Sequence, residues 1–397
     1  MGYDFGLSRP AAVPTVLCAE CCLARGGSMT RSVGIVGGGA VGVTAAYDLA
    51  RQGASVTLYE ALEIGGGSTH RAAGNLSAAY PGVVDAEIGR RAVERFRTFS
   101  GEGDFVFNEQ ERFLFVTDPG KRAEAIREET NAMADRGFDV SVVEPNALAD
   151  AYPGVRTDDI HLLTRGRGGG WTDPITYAEL VADKAREAGA EIREGIEASV
   201  ELAPPRVHGE ATTEYDAVLV AAGAHTKQLL ADAGIPIPMK PYRVQALTST
   251  GPSVPILHDA TESYYLRPHP IGLLAGDGTE HVESDPDDWQ REGDDVFVDA
   301  METRFAHRFP DHDTEIKRAW AGLCTATPDE DPLLGEVTDG LYVATGWHGH
   351  GFVRSPATGE AVAEEILDGE GIEAFDPTRF DGDEEFEIVE GMSIDED

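Results

Sequence analysis

One segment constrains the fold of this 397-residue chain more than any other: residues 32–61, SVGIVGGGAVGVTAAYDLARQGASVTLYEA. Residues 33–36 predict an apolar strand, residues 40–52 have the apolar spacing of a helix that closes at Gly53, and residues 55–59 predict a second strand ending on Glu60. A glycine turn joins the first strand to the helix. This order of elements predicts a βαβ unit, as at the start of many α/β domains with a parallel sheet.

The glycine turn has the spacing of a dinucleotide-binding site, Gly37-x-Gly39-x-x-Gly42. The first glycine permits the tight turn, the second lets a pyrophosphate approach the backbone, and the third lets helix and strand pack closely. N–H groups at the start of the helix would face the phosphates. Glu60 would accept hydrogen bonds from ribose hydroxyls, and its charge disfavours a 2′-phosphate, which leaves NAD or FAD.

A second stretch of glycine and small residues, GGGSTHRAAGNLSAAYPG at 65–82, follows directly after Glu60. Such a segment can wrap around a long cofactor and reach its flavin end. A simple NAD domain more often continues into another helix and strand. The order of the two segments therefore favours FAD over NAD.

The rest of the pattern predicts an α/β fold with two domains. We expect a discontinuous Rossmann-type FAD-binding domain formed by residues 30–82, 156–235 and 322–370. We expect a mostly antiparallel α+β substrate domain, inserted into it, formed by residues 83–155 and 236–321.

The two ends of the chain predict less order. Residues 1–28 are expected to be a disordered extension, and residues 371–397 a solvated, partly disordered acidic tail. Before that tail, a strand at 340–346 is followed by a helix predicted at 355–367, with Pro356 in its first turn.

The charge balance excludes several partners. Lys and Arg number 32 against 71 Asp and Glu, a net charge of −39, which argues against nucleic acid or an anionic membrane surface as partner. A diffuse acidic surface with little lysine is typical of a halophilic protein kept soluble in high salt. No apolar run predicts a membrane span. Cys324 has no obvious disulfide partner, and Cys18, Cys21 and Cys22 lack a fourth metal ligand, so we expect a reducing cytoplasm and no metal site.

The segment GWHGHGF, residues 346–352, contains a His-x-His pair that invites a metal hypothesis. No nearby acid or third histidine completes a ligand set, and no Gly-x-Ser-x-Gly motif indicates an acyl-transfer serine. Its glycines explain the segment better, because they let the backbone lie close against a ligand. The role of His348 stays open.

With these segments in order, residues 32 to 370 resemble the D-amino acid oxidase family of FAD-dependent amine oxidoreductases, and within it the glycine oxidase and sarcosine oxidase types. The resemblance rests on GGGAVG, Glu60, STHRAAGNL, GGGWTDP, VLVAAGAHT, YYLRP, WAGLCTATPDEDPLLG and GLYVATGWHGHGFVRSPATGEAVAEEI. The last two segments are the most specific. In the family, this strand leads into a glycine-rich loop along the flavin, and the following helix points its N-terminus at the pyrimidine side.

The resemblance implies three sets of FAD-binding residues. The ADP part would be held by Gly37, Gly39, Ala40, Val41, Gly42 and Glu60, with an adenine contact near Ala198 in some members. The ribityl chain and flavin would be followed by Ser68, Thr69, Ala73, Gly74 and Asn75. The pyrimidine edge would be lined by Gly349, His350, Gly351, Phe352 and Val353.

The resemblance also implies an activity: hydride transfer from the carbon next to an amine to the flavin, after which water hydrolyses the imine. The substrate would be an amino acid or secondary amine of the glycine, sarcosine or D-amino acid type. Tyr265 matches the family tyrosine that contacts the substrate carboxylate, and His350 matches a histidine near the cofactor. Strand alternation places Arg267 on the same face as Tyr265, which makes it a candidate carboxylate ligand, ahead of Arg354 and Arg71.

Three departures from the family concern substrate and electron acceptor. Cys324 stands where glycine oxidase has the arginine that binds the substrate carboxylate. Gly322 stands where sarcosine oxidase has the cysteine bonded to flavin, so we expect non-covalent FAD. Leu274 stands where sarcosine oxidase has a lysine associated with oxygen activation, which allows either oxygen or another redox partner as acceptor.

Two alternatives remain open. One is a flavin enzyme of another reaction type, such as a hydroxy-acid dehydrogenase or a tRNA-modification component. The other is an FAD-binding subunit of a larger complex without its own activity. The oligomeric state is not predicted.

Overall fold

The structure is a computed structural model, and it describes residues 30–389. The predicted extension at 1–28, with its three cysteines, and the last eight residues of the acidic tail lie outside the described residues.

The helices within residues 30–389 follow the predicted alternation with strands. They are α1 (Ala40–Arg51), α2 (Ser68–Arg71), α3 (Val83–Phe99), α4 (Lys121–Asp135), α5 (Asn146–Ala151), α6 (Pro174–Glu187), α7 (Thr226–Asp232), α8 (Asp295–Arg308) and α9 (Gly351–Ile366). Short 3₁₀ segments occur at Gly223–His225, Glu373–Phe375 and Pro377–Arg379.

A six-stranded sheet forms the dinucleotide-binding half of the described chain. In spatial order its strands are β19 (Leu333–Thr338), β20 (Leu341–Thr345), β13 (Ala217–Val220), β1 (Ser32–Val36), β2 (Ser55–Glu60) and β9 (Glu191–Glu194). All neighbours are parallel except β19, which pairs antiparallel with β20 at the edge. The strand–turn–helix–strand predicted at 32–61 lies at its centre.

Strand alternation divides the core on the two faces of this sheet. Ala217 and Leu219 pack with α1, α6 and α9 on one face, whereas Val218 and Val220 pack on the other face with α7 and a small sheet. That sheet consists of β10 (Ser199–Glu201), β11 (Arg206–His208) and β12 (Thr212–Glu214).

An eight-stranded sheet dominates the other half. Its spatial order is β18 (Ile316–Ala326), β14 (Lys240–Ser249), β17 (Gly272–Glu283), β16 (Tyr264–His269), β15 (Ile256–Asp259), β5 (Arg112–Val116), β7 (Leu162–Gly166) and β6 (Val140–Val143). Only the β15–β5 pair is parallel among these neighbours. Helix α8 packs on its back face through Phe297, Met301 and Phe305.

Three short segments from separate parts of the chain form a small three-stranded sheet. Its strands are β3 (Asn75–Leu76), β8 (Gly170–Trp171) and β4 (Asn108–Glu109).

Two elements pack in the other half of the molecule from the one that the predicted domain boundaries gave them. Helix α3, expected in the substrate domain, packs Ala92, Val93 and Phe96 into the core of the dinucleotide-binding half. Strand β7, expected in the FAD-binding domain, pairs with β5 in the eight-stranded sheet. Amphipathic spacing shows that an element has a buried face, but it does not show which of two cores covers that face.

Helix α9 begins at Gly351, four residues before the predicted start, so Pro356 lies inside the helix rather than in its first turn. Proline cannot donate to the carbonyl of Phe352, four residues earlier. The hydroxyl of Ser355 donates to that carbonyl instead, at 2.8 Å. This substitute donor lets the helix continue toward the glycine loop.

The predicted solvated tail is wrong for residues 371–389. Phe375 is fully buried in the core of the dinucleotide-binding half, and Ile388 packs against Tyr242 and Ala326. Arg379 forms an ion pair with Asp329 at 2.8 Å. Phe375 and Ile388, spaced along the acidic segment, anchor it to the folded protein, although its acidic composition suggested that it would be solvated.

Candidate active site

A cavity of about 1520 Å³ lies between the carboxyl ends of β1, β2 and β13 and the front face of the eight-stranded sheet. Its wall includes Gly37, Gly39 and Glu60 at one end and Tyr265 and His350 at the other. Sites for one small ligand usually measure roughly 300–1,000 Å³. This cavity has room for a dinucleotide together with a small substrate.

The glycine turn has the geometry that its sequence predicts. Gly37 has φ +113°, and a Cβ atom there would lie 2.3 Å from the carbonyl oxygen of Ala221. A Cβ atom on Gly42 would lie 2.0 Å from the carbonyl oxygen of Gly37. At Gly39, the nearest protein atom to an added Cβ would be Thr69 Oγ1, at 3.4 Å. Packing therefore requires glycine at 37 and 42, whereas at 39 an added Cβ would meet the protein only at van der Waals distance.

Glu60 ends β2 at the cavity wall. One carboxylate oxygen accepts a hydrogen bond from the Gly38 N–H at 2.6 Å, and the other accepts one from the Leu62 N–H at 2.8 Å. These bonds fix the carboxylate, and each oxygen keeps a lone pair for a hydroxyl donor. Ala198 also lies on this part of the wall, and the N–H of Ile196 donates to the carbonyl of Glu60.

The segment after Glu60 folds over the glycine turn. The Ala40 N–H donates to Thr69 Oγ1 at 3.1 Å, and Ser68 Oγ donates to the carbonyl of Leu323 at 2.7 Å. Helix α2 is thereby held between α1 and β18. Ala40, Val41, Ser68 and Thr69 all line the cavity.

The loop 73–75 continues along the wall. Gly74 has φ +69°, and an added Cβ would lie 2.1 Å from the carbonyl of Thr172. Ala73, Gly74 and Asn75 line the cavity, and Oδ1 of Asn75 is buried with no hydrogen-bond partner among residues 30–389. A buried acceptor without a partner costs free energy unless a ligand donates to it.

Arg267 does not line the cavity, contrary to the hypothesis that it binds substrate. Its Nε donates to the carbonyl of Ala73 at 2.5 Å, its Nη1 donates to the carbonyl of Pro268, and its guanidinium lies over the ring of Trp171. It is 3 % exposed, and burial lowers its pKa to about 10. Arg267 shares a strand face with Tyr265, but the loop 73–75 covers that part of the face.

The loop before α9 is fixed by the end of β18. Thr325 Oγ1 accepts hydrogen bonds from the N–H groups of Gly346 and Trp347, both at 3.1 Å. His348 has φ +44°, and its Nε2 accepts from the Thr327 N–H at 2.8 Å. His348 therefore has a structural role that the sequence left open.

The N-termini of α1 and α9 both open into the cavity. Neither first turn contains an acidic residue, and neither N-cap residue, Gly39 or His350, forms a side-chain capping bond. Gly349, Gly351, Phe352 and Val353 line the same region. The Ala40 N–H of α1 donates to Thr69 Oγ1, and the positive end of each helix dipole favours negative charge on a ligand.

His350 lines the cavity with its ring edge-to-face against Tyr80, at 6.0 Å between ring centroids. Burial, and then the nearby Arg354, lower its pKa to about 3. The imidazole is therefore neutral at physiological pH.

Tyr265, Cys324 and Tyr242 form the part of the wall on the eight-stranded sheet. Burial raises the pKa of Tyr265 above its usual value, so the phenol is protonated. Burial raises the pKa of the Cys324 thiol to about 11, although Tyr242 and the backbone of Gly349 hydrogen-bond to it. Both groups are neutral hydrogen-bonding partners at neutral pH.

Arg112 and His258 are among the cavity residues that sequence reasoning missed. Burial lowers the pKa of both, to about 3 for His258. Alternation within RFLFV could have placed Arg112 opposite the buried Phe113 and Phe115. The pairing of β5 with β15, which brings His258 beside it, has no local signal in the sequence.

The two weaker carboxylate candidates also line the cavity, but both are engaged. Arg354 lies 2.9 Å from Asp85, and Arg71 donates to the carbonyl of Ala321 at 3.0 Å while its guanidinium lies over Trp289.

The residues present fit FAD. The backbone of Gly39 and the N-termini of α1 and α9, which line the cavity and have no acidic residue in their first turns, suit a pyrophosphate and an electron-rich ring edge. The fixed carboxylate of Glu60 suits a ribose, and the unpartnered Asn75 Oδ1 suits a ligand N–H or O–H. These groups follow one wall of a single cavity.

Comparison with known proteins gives the family. Residues 32–365 match the model of the FAD dependent oxidoreductase (DAO) family. The chain belongs to this family. Its cofactor is FAD, and the resemblance and fold class predicted from the sequence are confirmed.

Two curated relatives of this DAO-family chain show how far the match extends. It is 28% identical over 311 residues to FAD-dependent oxidoreductase domain-containing protein 1 of Xenopus laevis, covering 67% of this chain and 62% of that protein. It is 27% identical over 384 residues to mitochondrial dimethylglycine dehydrogenase of Mus musculus, covering 87% of this chain and 44% of that protein. The chain thus spans about half the length of these relatives.

A solved structure matches the fold over almost its full length. L-proline dehydrogenase from P. horikoshii has a TM-score of 0.81 and 27% sequence identity, and the match covers 88% of this chain and 97% of that chain.

Residues 30–389 contain neither a candidate membrane span nor a candidate metal site. None of the helices there combines the length and apolarity needed to cross a bilayer. None of the described His, Cys, Asp and Glu residues form a group of three or more suited to a metal ion.

Proposed function

We propose that this DAO-family protein oxidises the C–N bond of a small amino acid or amine, and that its preferred substrate has a secondary or tertiary amine next to a carboxylate. One observation carries the proposal. Two of the relatives, which match over 87% and 88% of this chain, are named for dimethylglycine and L-proline, both N-substituted amino acids.

FAD, when bound, supplies the hydride acceptor for the C–H bond next to the amine. The protein supplies position and environment. The N–H groups at the start of α9 stabilise negative charge that develops nearby. The positive end of a helix stabilises a nearby negative charge by roughly 0.3–1 kcal/mol at an exposed site, and by more at a buried one. Loss of hydride from carbon leaves an imine or iminium, and water then adds to release a carbonyl compound and an amine.

The wall facing the substrate contains neutral polar groups. Tyr265 is protonated, and His258 and His350 are uncharged, because burial moves each pKa away from neutral pH. A neutral amine placed against this wall keeps the lone pair that assists hydride loss, so no strong general base is required. Positioning supplies much of the rate enhancement in this scheme.

We propose that the electrons taken from the substrate pass from the flavin to a redox partner rather than to oxygen. Leu274 is 4 % exposed and apolar, so it offers no positive charge where a lysine would assist oxygen. Oxygen consumption and dye reduction, measured side by side on substrate-reduced protein, test this assignment. Faster reoxidation by air than by an artificial electron acceptor contradicts it.

The visible spectrum of the holoprotein, followed anaerobically, tests the reaction. N,N-dimethylglycine, sarcosine, L-proline, glycine and D-alanine are added in turn, with glycolate and lactate as the hydroxy-acid comparison. We expect the flavin band to bleach with an N-substituted amino acid. Bleaching only with a hydroxy acid would favour the alternative reaction, and an oxidised flavin with every compound would favour a non-catalytic subunit.

A further inference from the structure

Arg112 occupies the front face of the eight-stranded sheet, in the cavity wall. Its neighbours in β5, Phe113 and Phe115, point into the core behind the sheet and are almost fully buried. Alternation along the strand therefore directs Arg112 toward the cavity. Its accessible surface belongs to the cavity wall.

No acidic side chain compensates the charge of Arg112. Within residues 30–389, no ion pair and no hydrogen bond involves its guanidinium, and burial is the main cause that lowers its pKa. By contrast, Arg243 pairs with Asp294, Arg308 with Asp159, and Arg354 with Asp85.

Arg112 is only partly exposed, and it lies in the cavity wall. A guanidinium that loses hydration without gaining an anion is unfavourable, so the folded protein would gain by binding one there. Arginine suits this purpose because its planar fork binds both oxygens of a carboxylate. The arrangement points to an anionic group on a ligand of the cavity.

Polar neutral groups surround Arg112. Arg112 interacts electrostatically with Tyr80, His258 and His350. His258 is 8 % exposed, and its Nδ1 is buried without a partner among the described residues. In the sheet, His258 lies opposite Tyr265 in β16 and opposite Leu114 in β5, two residues from Arg112.

This register places Leu114, His258 and Tyr265 in one row across three adjacent strands, and Arg112 lies two residues along β5 from that row, on the same face. A small amino acid bound against this face could place its carboxylate at the guanidinium and its amine near the imidazole and phenol. The phosphates of a dinucleotide are accounted for at the other end of the cavity, by the glycine turn.

We propose that Arg112 binds the carboxylate of the substrate, in place of the arginine that glycine oxidase has where this chain has Cys324. The inference rests on the proposed function, because it takes the carboxylate ligand to be the substrate. It makes Arg112 a determinant of specificity for amino acids over simple amines.

The test compares two ligands that differ only in the anionic group. Pyrrole-2-carboxylate and pyrrole-2-carboxamide are titrated into the holoprotein, and the shift of the flavin absorption gives the dissociation constant of each. We expect the carboxylate to bind about 10- to 100-fold more tightly than the carboxamide, because charge-assisted hydrogen bonds are the stronger ones.

Arg112→Met should abolish this preference, and Arg112→Lys should retain part of it. Arg97→Met is the matched control: it also removes one arginine, but from an exposed pair with Glu109, and should keep the wild-type preference. Flavin content and far-UV circular dichroism show that each variant is folded and loaded.

The outcomes separate this inference from the proposed function. An unchanged preference in Arg112→Met, or wild-type protein with no preference for the carboxylate, overturns the inference even if amino acids bleach the flavin. A lost preference with normal flavin content supports it even if no amino acid in the panel bleaches the flavin. Loss of flavin from both Arg112 variants, with the control loaded, would instead assign Arg112 to FAD and overturn the inference.

Discussion

Single residues of the same type have different roles according to what surrounds them. His348 and His350 are two positions apart, yet His348 turns inward to accept the Thr327 N–H, whereas His350 lines the cavity at the N-terminus of α9. Arg267 and Arg112 differ in the same way. Arg267 is satisfied by two backbone carbonyls and a Trp171 ring, and Arg112 has no such partner.

His348 makes stability depend on pH. Burial, and then Arg354, lower its folded-state pKa to about 4, below the ordinary value of about 6.5. Below pH 6.5 the unfolded chain therefore takes up a proton that the folded protein does not, and stability is lost as the pH falls. His348→Gln keeps an acceptor for Thr327 but does not titrate.

Urea unfolding at pH 7 and pH 5 measures this effect. We expect the unfolding free energy of the wild type to fall by about 2 kcal/mol more than that of His348→Gln over this interval. Equal falls in the two proteins would show that His348 can be protonated in the folded state.

At the level of elements, local signals were sufficient for the glycine turn and its strands, because the glycine spacing and the apolar pattern lie within one short segment, residues 32–61. The carbonyl that excludes a Cβ at Gly37 belongs to the distant Ala221 and has no such local signal. The start of α9 was misplaced because Pro356 normally marks a first turn, and the bond from Ser355 that permits it inside the helix has no clear sequence signal. Arg112 and His258 were missed because their proximity depends on the register of β5 with β15, from distant parts of the chain. Arg267 was placed on the correct strand face, but the loop that covers it could not be positioned from the sequence.

The glycine turn allows ligand binding and folding to be separated by two matched substitutions. Gly39→Ala adds a Cβ 3.4 Å from its nearest protein neighbour, so we expect the FAD-free protein to lose no more than about 1 kcal/mol of stability. Gly42→Ala forces a Cβ to 2.0 Å from the carbonyl of Gly37, so we expect a loss of about 3 kcal/mol.

Urea unfolding of the FAD-free variants and titration with FAD give the two quantities. Gly39→Ala should weaken FAD binding at least tenfold while the fold is retained. Normal FAD affinity in Gly39→Ala would show that the pyrophosphate does not approach this part of the backbone.

For the whole molecule, the net charge of −39 is the largest electrostatic term. Exposed ion pairs, such as Arg90 with Glu87, each contribute at most about 1 kcal/mol and are weakened by salt. Repulsion among the excess carboxylates is also screened, since the Debye length falls from about 10 Å at 0.1 M to about 3 Å at 1 M ionic strength. With more than twice as many acids as bases, relief of repulsion should exceed the loss of ion pairs.

Urea unfolding in 0.05 M and 1 M KCl tests this balance. We expect the midpoint urea concentration to rise with KCl, and to rise less in sucrose of matched osmolarity, which leaves the charges unscreened. A midpoint that falls with KCl would show that the ion pairs contribute more to stability than the repulsion removes.

The described end of the chain passes behind the substrate wall. Lys240 donates to the carbonyl of Phe386, His281 bonds with the carbonyl of Ile388, and Ile388 packs against Tyr242, whose ring lines the cavity. A recombinant protein shortened before Phe386 would therefore lose support for the tyrosine beside Cys324. Enzymologists who trim this acidic segment to obtain crystals would risk changing the substrate selectivity that they intend to measure.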